Sequence, residues 1–283
     1  MRQLGRQNSN VTKNMGAEFW DANPCGGSWT NYGNFMDWIR RTEPYIFDIL
    51  DGYNWKGKRV VEVGCGQGTT LNYLPTFGAD VYGLDMSIES IAQARSGAAE
   101  LNQLASVHLL GSDAEKLPFK VESFDAAICV GVLHHTSDTA GGVHEIHRLL
   151  KPGGQAVIML YRSGNPKWWV TKSLRGFARI VDFFSGKPNT LAERLRSRRD
   201  TNDVKGTALL ELFGVPILNA FSNSEVRSMF GDFSEVRITN HQPGFQRLID
   251  VLPFLRLIKP VLSWLDRKTS DLWGFYQVIE ARK

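Results

Sequence analysis

Between Arg59 and Tyr161 the sequence alternates short apolar runs with stretches of helical spacing, and few folds accept that order. RVVEV at 59–63 reads as a strand, and GQGTTLNYLPTFG at 66–78 as the opening of a helix. ADVYGLD at 79–85 is a strand, and SIESIAQARSGAAEL at 87–101 a helix with Ser87 placed to cap it. SVHLL at 106–110 and FDAAICVGV at 124–132 are strands. GGVHEIHRLLKPGG at 141–154 is a helix stopped by Pro152 and the pair Gly153-Gly154, and QAVIMLY at 155–161 is a strand. Strands alternating with helices of this length predict parallel strands covered by helices on both faces, a doubly wound α/β sheet.

The flanks break the pattern. Residues 1–56 form an N-terminal tail followed by an aromatic-rich cap, with a helix expected through NFMDWIRRTEPYIFDIL at 34–50 that Pro44 kinks or divides. Residues 57–161 are the alternating core, and 162–221 a basic helical insertion or lid. Residues 222–283 return to the core, with SEVRSMF as a helix and SEVRITNH and LWGFYQVIEAR as the last strands. Between those strands, Leu248, Val251, Leu252, Leu255, Ile258, Val261, Leu262 and Leu265 recur three and four apart, with Pro253 and Pro260 as interruptions. That apolar face needs a cover. The expectation is a helix folded back over an acceptor pocket, with membrane docking as the alternative.

Composition excludes several classes. The 283 residues are 42% hydrophobic, enough for a sizeable core. A net charge of +4 is too mild to argue for nucleic acid. Cys25, Cys65 and Cys129 are an odd, scattered set that suits a reducing cytoplasm rather than a disulfide framework. The polar start, MRQLGRQNSNVTKN, has no apolar signal core, and no run approaches the roughly 20 apolar residues of a membrane span.

The chemistry gathers at strand ends. The first strand runs into Glu62-Val63-Gly64-Cys65-Gly66-Gln67-Gly68. A glycine-rich turn before a helix lets backbone approach a ligand without Cβ clashes and offers free N–H groups. A dinucleotide fingerprint puts its third glycine five positions after the first, whereas here the third, Gly68, comes four after Gly64. Asp85 ends the second strand 21 positions after Gly64, where an acidic side chain can accept from both ribose hydroxyls of a nucleoside. The segment Gly111-Ser112-Asp113-Ala114-Glu115-Lys116-Leu117-Pro118-Phe119 follows the third strand.

These segments resemble class I S-adenosylmethionine-dependent methyltransferases, in the type 11 branch that is like the ubiquinone and menaquinone C-methyltransferases. The resemblance rests on E-x-G-x-G-x-G at 62–68, D-A-x-x-L-P-F at 113–119, FDAAICVGVLHHTSD at 124–138 and R-x-L-K-P-G-G at 148–154, in family order over 58–161. It implies a seven-stranded sheet of order 3-2-1-4-5-7-6 with the last strand antiparallel. It implies S-adenosyl-L-methionine as cofactor, S-adenosyl-L-homocysteine as product, and a small-molecule acceptor. The cofactor would be held by Glu62, Gly64, Cys65, Gly66, Gly68, Asp85, Met86, Asp113, Ala114, Val130 and His135. The N-P-P-Y or D-P-P-Y motif common in RNA N-methyltransferases is missing after the fourth strand, which weakens an RNA or protein substrate. A non-catalytic nucleoside-binding protein on the same fold remains the third alternative.

Several residues carry two readings. His135 lines the cofactor or acceptor pocket, and either acts as a base for an O–H or N–H acceptor or merely forms the wall. Tyr161 is the other catalytic candidate, and Trp20, Tyr32, His134 and Tyr161 are expected in the substrate pocket. Phe19, Trp20, Trp29 and Tyr32 either cap a sulfonium through cation–π attraction or pack as ordinary core. His144 and His147 stand three apart, off the H-E-x-x-H zinc spacing, so no metal is expected. Residues 162–200 hold ten Lys and Arg against three carboxylates, a local charge of +7 interleaved with aromatics. That composition suits a substrate lid, or peripheral contact with anionic lipid headgroups.

Overall fold

The computed structural model describes residues 16–22, 31–186, 215–245 and 253–283. Seven strands form one sheet: β1 (Arg59–Val63), β2 (Asp80–Asp85), β3 (Val107–Gly111), β4 (Phe124–Val130), β5 (Leu150–Tyr161), β6 (Glu235–His241) and β7 (Tyr276–Arg282). Their order is β3-β2-β1-β4-β5-β7-β6. β1 to β5 are mutually parallel, and β7 runs antiparallel to both β5 and β6. Strand order and the antiparallel β7 agree with what the resemblance implied.

The apolar runs are continuous because both sheet faces are buried. Val60, Ala126, Ile128, Val157, Met159 and Val278 point into one core layer with α1 (Tyr32–Thr42), α2 (Pro44–Leu50) and α3 (Ile88–Glu100). Their neighbours Val61, Val63, Ala127, Cys129, Ile158 and Ile279 point into the other, with α4 (Thr139–Leu149) and α6 (Asn223–Met229). Between α4 and α6 in sequence lies α5 (Pro166–Ser185), and α7 (Lys259–Trp273) precedes β7. Ser87 accepts from the Ser90 amide at 3.0 Å and so caps α3 as expected.

Three local expectations change, and the division at Pro44 is as expected. The stretch after β1 makes turns and a short 3-10 segment, Leu74–Phe77, instead of an α-helix. Left-handed Gly66 and Gly68, paired threonines and Pro75 all oppose helical propagation there. The aromatic helix at 34–50 is two helices, since Pro44 occupies the first turn of α2 and Glu43 adopts a non-helical conformation. α4 ends at Leu149, and β5 starts at Leu150, before Pro152. The 247–268 face does not close a pocket among the described residues: α7 packs on β6, Leu262 is buried, and Val261 and Trp264 stay exposed.

The insertion begins with α5, capped by Asn165, whose side chain accepts from the Lys167 amide at 2.6 Å, and ended by left-handed Gly186. Trp169, Val170, Phe177, Ile180, Phe183 and Phe184 form an exposed apolar face on it, with Lys172 and Arg179 at its edge. Among the described residues no helix is long and apolar enough to cross a membrane, and no group of three or more His, Cys, Asp or Glu side chains can hold a metal ion. Cys25 and Trp29 lie outside the described residues.

Candidate functional site

The carboxyl ends of β1, β2, β4 and β5 open into a cavity of about 240 Å³. A doubly wound sheet puts its ligand crevice at this edge. β1 stops at Gly64 because the chain must turn there with φ of +73°. A Cβ on Gly64 would sit 2.1 Å from Val132 Cγ2, on the loop after β4. Only glycine lets the two loops come that close.

Asp85 ties the turn to β2. Its Oδ2 accepts from the Gly66 amide at 2.8 Å and its Oδ1 from the Ser87 amide at 2.9 Å. Burial raises its pKa, and those amides pull it back down. The Met86 amide also bears on this carboxylate, and what remains of the about four acceptor positions of an ionised carboxylate is open to a ligand.

Glu62 lies beneath the turn. Burial lifts its carboxyl to about 8. One oxygen accepts from the Thr70 hydroxyl, while Oε2 has no hydrogen-bond partner among the described residues. A buried carboxylate oxygen left unpaired at a cavity wall marks where a cationic ligand group belongs. Cys65 is buried beside it, and burial raises its thiol well above the ordinary value, which suits packing and not nucleophilic attack. Met86, Ser112, Asp113, Ala114 and Val132 complete this end.

The other end is mainly apolar and aromatic, with Thr42 and Glu43 at the α1–α2 junction as its polar members. Phe35, Trp38 and Ile39 of α1, Ile46 of α2, Met159 and Tyr161 of β5, Tyr276 of β7 and Trp20 line it. Val215, Pro216 and Ile217 close it as a strap returning from the insertion. His135 stands at the join. Its Nδ1 lies 2.9 Å from the Ile217 carbonyl, and only an N–H can pair with a carbonyl, so Nδ1 carries the hydrogen and neutral Nε2 is an acceptor. Burial lowers His135 to about 4, so it is neutral near pH 7.

Of the residues expected at the site, Glu62, Gly64, Cys65, Gly66, Asp85, Met86, Asp113, Ala114, Val130, His135, Trp20 and Tyr161 line the cavity. Gly68, Tyr32 and His134 are not in its wall. Tyr32 lies behind the turn, where its hydroxyl donates to the Gly68 carbonyl at 2.6 Å. His134 turns inward, fully buried, and stacks on Tyr161 with ring centroids 3.7 Å apart. It is a support for Tyr161 and no part of the pocket surface. Trp20 meets His135 edge-on at 5.3 Å, and so serves as wall and not as core.

The α1 side and the strap were not anticipated. The α1 residues had a signal in their helical spacing but none that aimed them at a cavity. Val215-Pro216-Ile217 had no signal, because a backbone carbonyl acceptor leaves no trace in residue type.

A family model for a methyltransferase domain matches residues 61–158. Over that stretch, about a third of the chain, the sequence is similar to methyltransferase domains of type 11. A ubiquinone biosynthesis O-methyltransferase of Alkalilimnicola ehrlichii is 36% identical over 129 residues, covering 44% of this chain and 48% of that protein. One from Sodalis glossinidius is 37% identical over 116 residues, covering 40% and 45%. This chain thus matches about half the length of those relatives. Among solved structures, a phosphoethanolamine N-methyltransferase of Haemonchus contortus aligns with a TM-score of 0.58 at 19% identity, over 94% of this chain and 60% of that one. An S-adenosylmethionine-dependent methyltransferase of Mesorhizobium loti aligns at 0.52 and 21%, over 85% and 96%. At such identities the structures establish the fold alone. The matched stretch ends before the strap, α5 and α7.

Proposed function

We propose that this protein transfers the methyl group of S-adenosylmethionine to a hydroxyl on an apolar, aromatic small molecule. The observation that carries the acceptor type is His135, whose Nδ1–H is taken by the Ile217 carbonyl, which leaves Nε2 as a hydrogen acceptor in the cavity wall. The relatives over the core are named O-methyltransferases, which agrees with a hydroxyl.

The glycine turn fits the cofactor because no Cβ intrudes, the Asp85 carboxylate retains acceptor positions for a ribose, and unpaired Glu62 Oε2 suits the amino group of its methionyl part. Asp113 is the candidate for the adenine amino group. When bound, S-adenosylmethionine supplies a methyl group already activated by a sulfonium, so the protein's task is positioning, desolvation and proton removal. The aromatic end holds the acceptor's body out of water. His135 Nε2 receives the proton as the acceptor's O–H bond breaks and its oxygen takes the methyl.

His135 is neutral above about pH 4, so it can accept a proton across the neutral range. The acid limb of kcat is therefore expected near 4 and not near the ordinary histidine value. Assays use labelled S-adenosylmethionine with phenols of rising hydrophobicity. His135→Gln is expected to slow turnover by roughly 10²–10⁴ and to remove that limb. Equal rates and an unchanged profile in the variant, or methylation of amines and not phenols, would sink the reading.

The exposed face of α5 fits an anionic bilayer surface: four aromatic rings and two aliphatic side chains stand clear of the core, with cationic side chains on the flank. Flotation with anionic vesicles at low salt, and none with neutral vesicles, is the expected result. Protein left behind by both kinds of vesicle counts against a lipid partner.

A further inference from the structure

The strap at 215–221 joins three parts of the molecule by backbone. Ile217 takes the His135 Nδ1–H at 2.9 Å. The Asn219 amide donates to the His134 carbonyl at 2.8 Å, and its side chain donates to the Thr136 carbonyl at 3.1 Å. The Phe221 amide donates to the Tyr161 carbonyl at 2.8 Å. The far end of the strap has its own anchor. Arg175, on α5, donates through Nη2 to the Val215 carbonyl at 3.0 Å. Arg175 is half-buried, on the inward flank of a helix whose opposite face is exposed.

We propose that Arg175 is a positioning residue for His135: by holding the strap through Val215 it keeps the Ile217 carbonyl on Nδ1 and so fixes Nε2 as the acceptor facing the cavity. The insertion thereby sets the state of a core side chain that it does not touch through any charged group of the strap, since residues 215–221 carry none. The groups bearing on the ring are the neutral His134 beside it, the Tyr161 and Trp20 rings, and the Arg175 cation, whose field opposes protonation. The two actions of Arg175 differ: the anchor fixes hydrogen on Nδ1 through the Ile217 carbonyl, and the field opposes a second proton on the ring. The catalytic meaning rests on His135 accepting a proton from the acceptor, but the tautomer itself does not.

Long-range ¹⁵N–¹H spectra of the full chain labelled at its six histidines report tautomer and titration directly. His135 is assigned by loss of its signals in His135→Gln. In the unaltered protein the expected state is protonated Nδ1 and bare Nε2, with a titration midpoint near 4. In Arg175→Met the two tautomers should mix, while burial, the largest cause, keeps the midpoint below the ordinary value of about 6.5. With an acceptor in hand, kcat should fall roughly tenfold, part of the 10²–10⁴ a positioned base contributes, while S-adenosylhomocysteine affinity holds. Arg175→Lys keeps the charge and one donor, and should restore most of the single Nδ1–H tautomer. If Arg175→Met does not fold, Asn219→Ala loosens the same strap and should likewise mix the tautomers. An unaltered protein with hydrogen on Nε2, or a tautomer indifferent to both variants, overturns the proposal. A shifted tautomer with undiminished methylation in His135→Gln would leave the strap's role standing and remove only the base.

Discussion

Asp85→Ala is expected to weaken S-adenosylhomocysteine binding by at least about tenfold while leaving the sheet intact. The carboxylate already accepts from the Gly66 and Ser87 amides, with the Met86 amide bearing on it as well. In the proposed complex its remaining lone pairs meet the ribose hydroxyls. Alanine therefore loses ligand contacts and frees the amide that shapes the glycine turn. Leaving a buried polar partner unpaired costs about 1–3 kcal/mol, and 1.4 kcal/mol is a factor of ten in affinity. Asp85→Asn keeps the shape and one acceptor oxygen, so it should fall between the two. Calorimetric titration separates these cases, and Asp85→Ala with unchanged affinity would remove Asp85 from the site.

Gly64→Ala is expected to act on stability as well as on binding. The residue sits at φ +73°, and the added methyl would meet Val132 Cγ2 at 2.1 Å and Cγ1 at 2.7 Å. A left-handed conformation costs a non-glycine residue about 1–2 kcal/mol, and forcing a methyl into packed space costs about 1–3 more. Against a total stability of roughly 5–15 kcal/mol, that loss should lower Tm by on the order of 10 °C. Val132 itself lines the cavity, so its displacement should also reduce cofactor affinity. Adding Val132→Ala should recover most of the steric part, with only its Cβ still close at 2.9 Å, and leave the conformational part, a non-additive double mutant. A thermal melt of Gly64→Ala that overlays that of the unaltered protein would contradict the close approach of the two loops.

The core was legible because its signals are local and periodic. Val60 and Val61, or Ala127 and Ile128, enter opposite core layers, and that requirement alone writes a continuous apolar run. Glycine spacing and the Asp85 interval were legible because a turn with positive φ and a carboxylate at a strand end restrict residue type. Tyr32 and His134 were harder. Each is an aromatic ring near the right strand end, and whether such a ring faces a cavity or the layer behind it depends on its rotamer and its neighbours. Tyr32 is drawn behind the turn by the Gly68 carbonyl, and His134 by the face of Tyr161. The strap was invisible for a different reason: its contribution is the Ile217 carbonyl, which every residue type possesses. The apolar period at 247–268 matches the observed helix Lys259–Trp273 only from Lys259 to Lys268, and it did not give that helix's cover, because an amphipathic pattern states that a face is apolar and not what lies against it.

The most direct test of a methyltransferase site in this cavity is a calorimetric titration of the unaltered chain with S-adenosylhomocysteine and, separately, with NAD. The glycine spacing, the remaining acceptor positions of Asp85 and unpaired Glu62 Oε2 predict one-to-one binding of S-adenosylhomocysteine. Because Glu62 titrates near 8, that binding should release a proton near neutral pH, visible as a dependence of the heat on the buffer's ionisation enthalpy. NAD should give no heat of binding. Binding of NAD with no response to S-adenosylhomocysteine would contradict the assignment of the site.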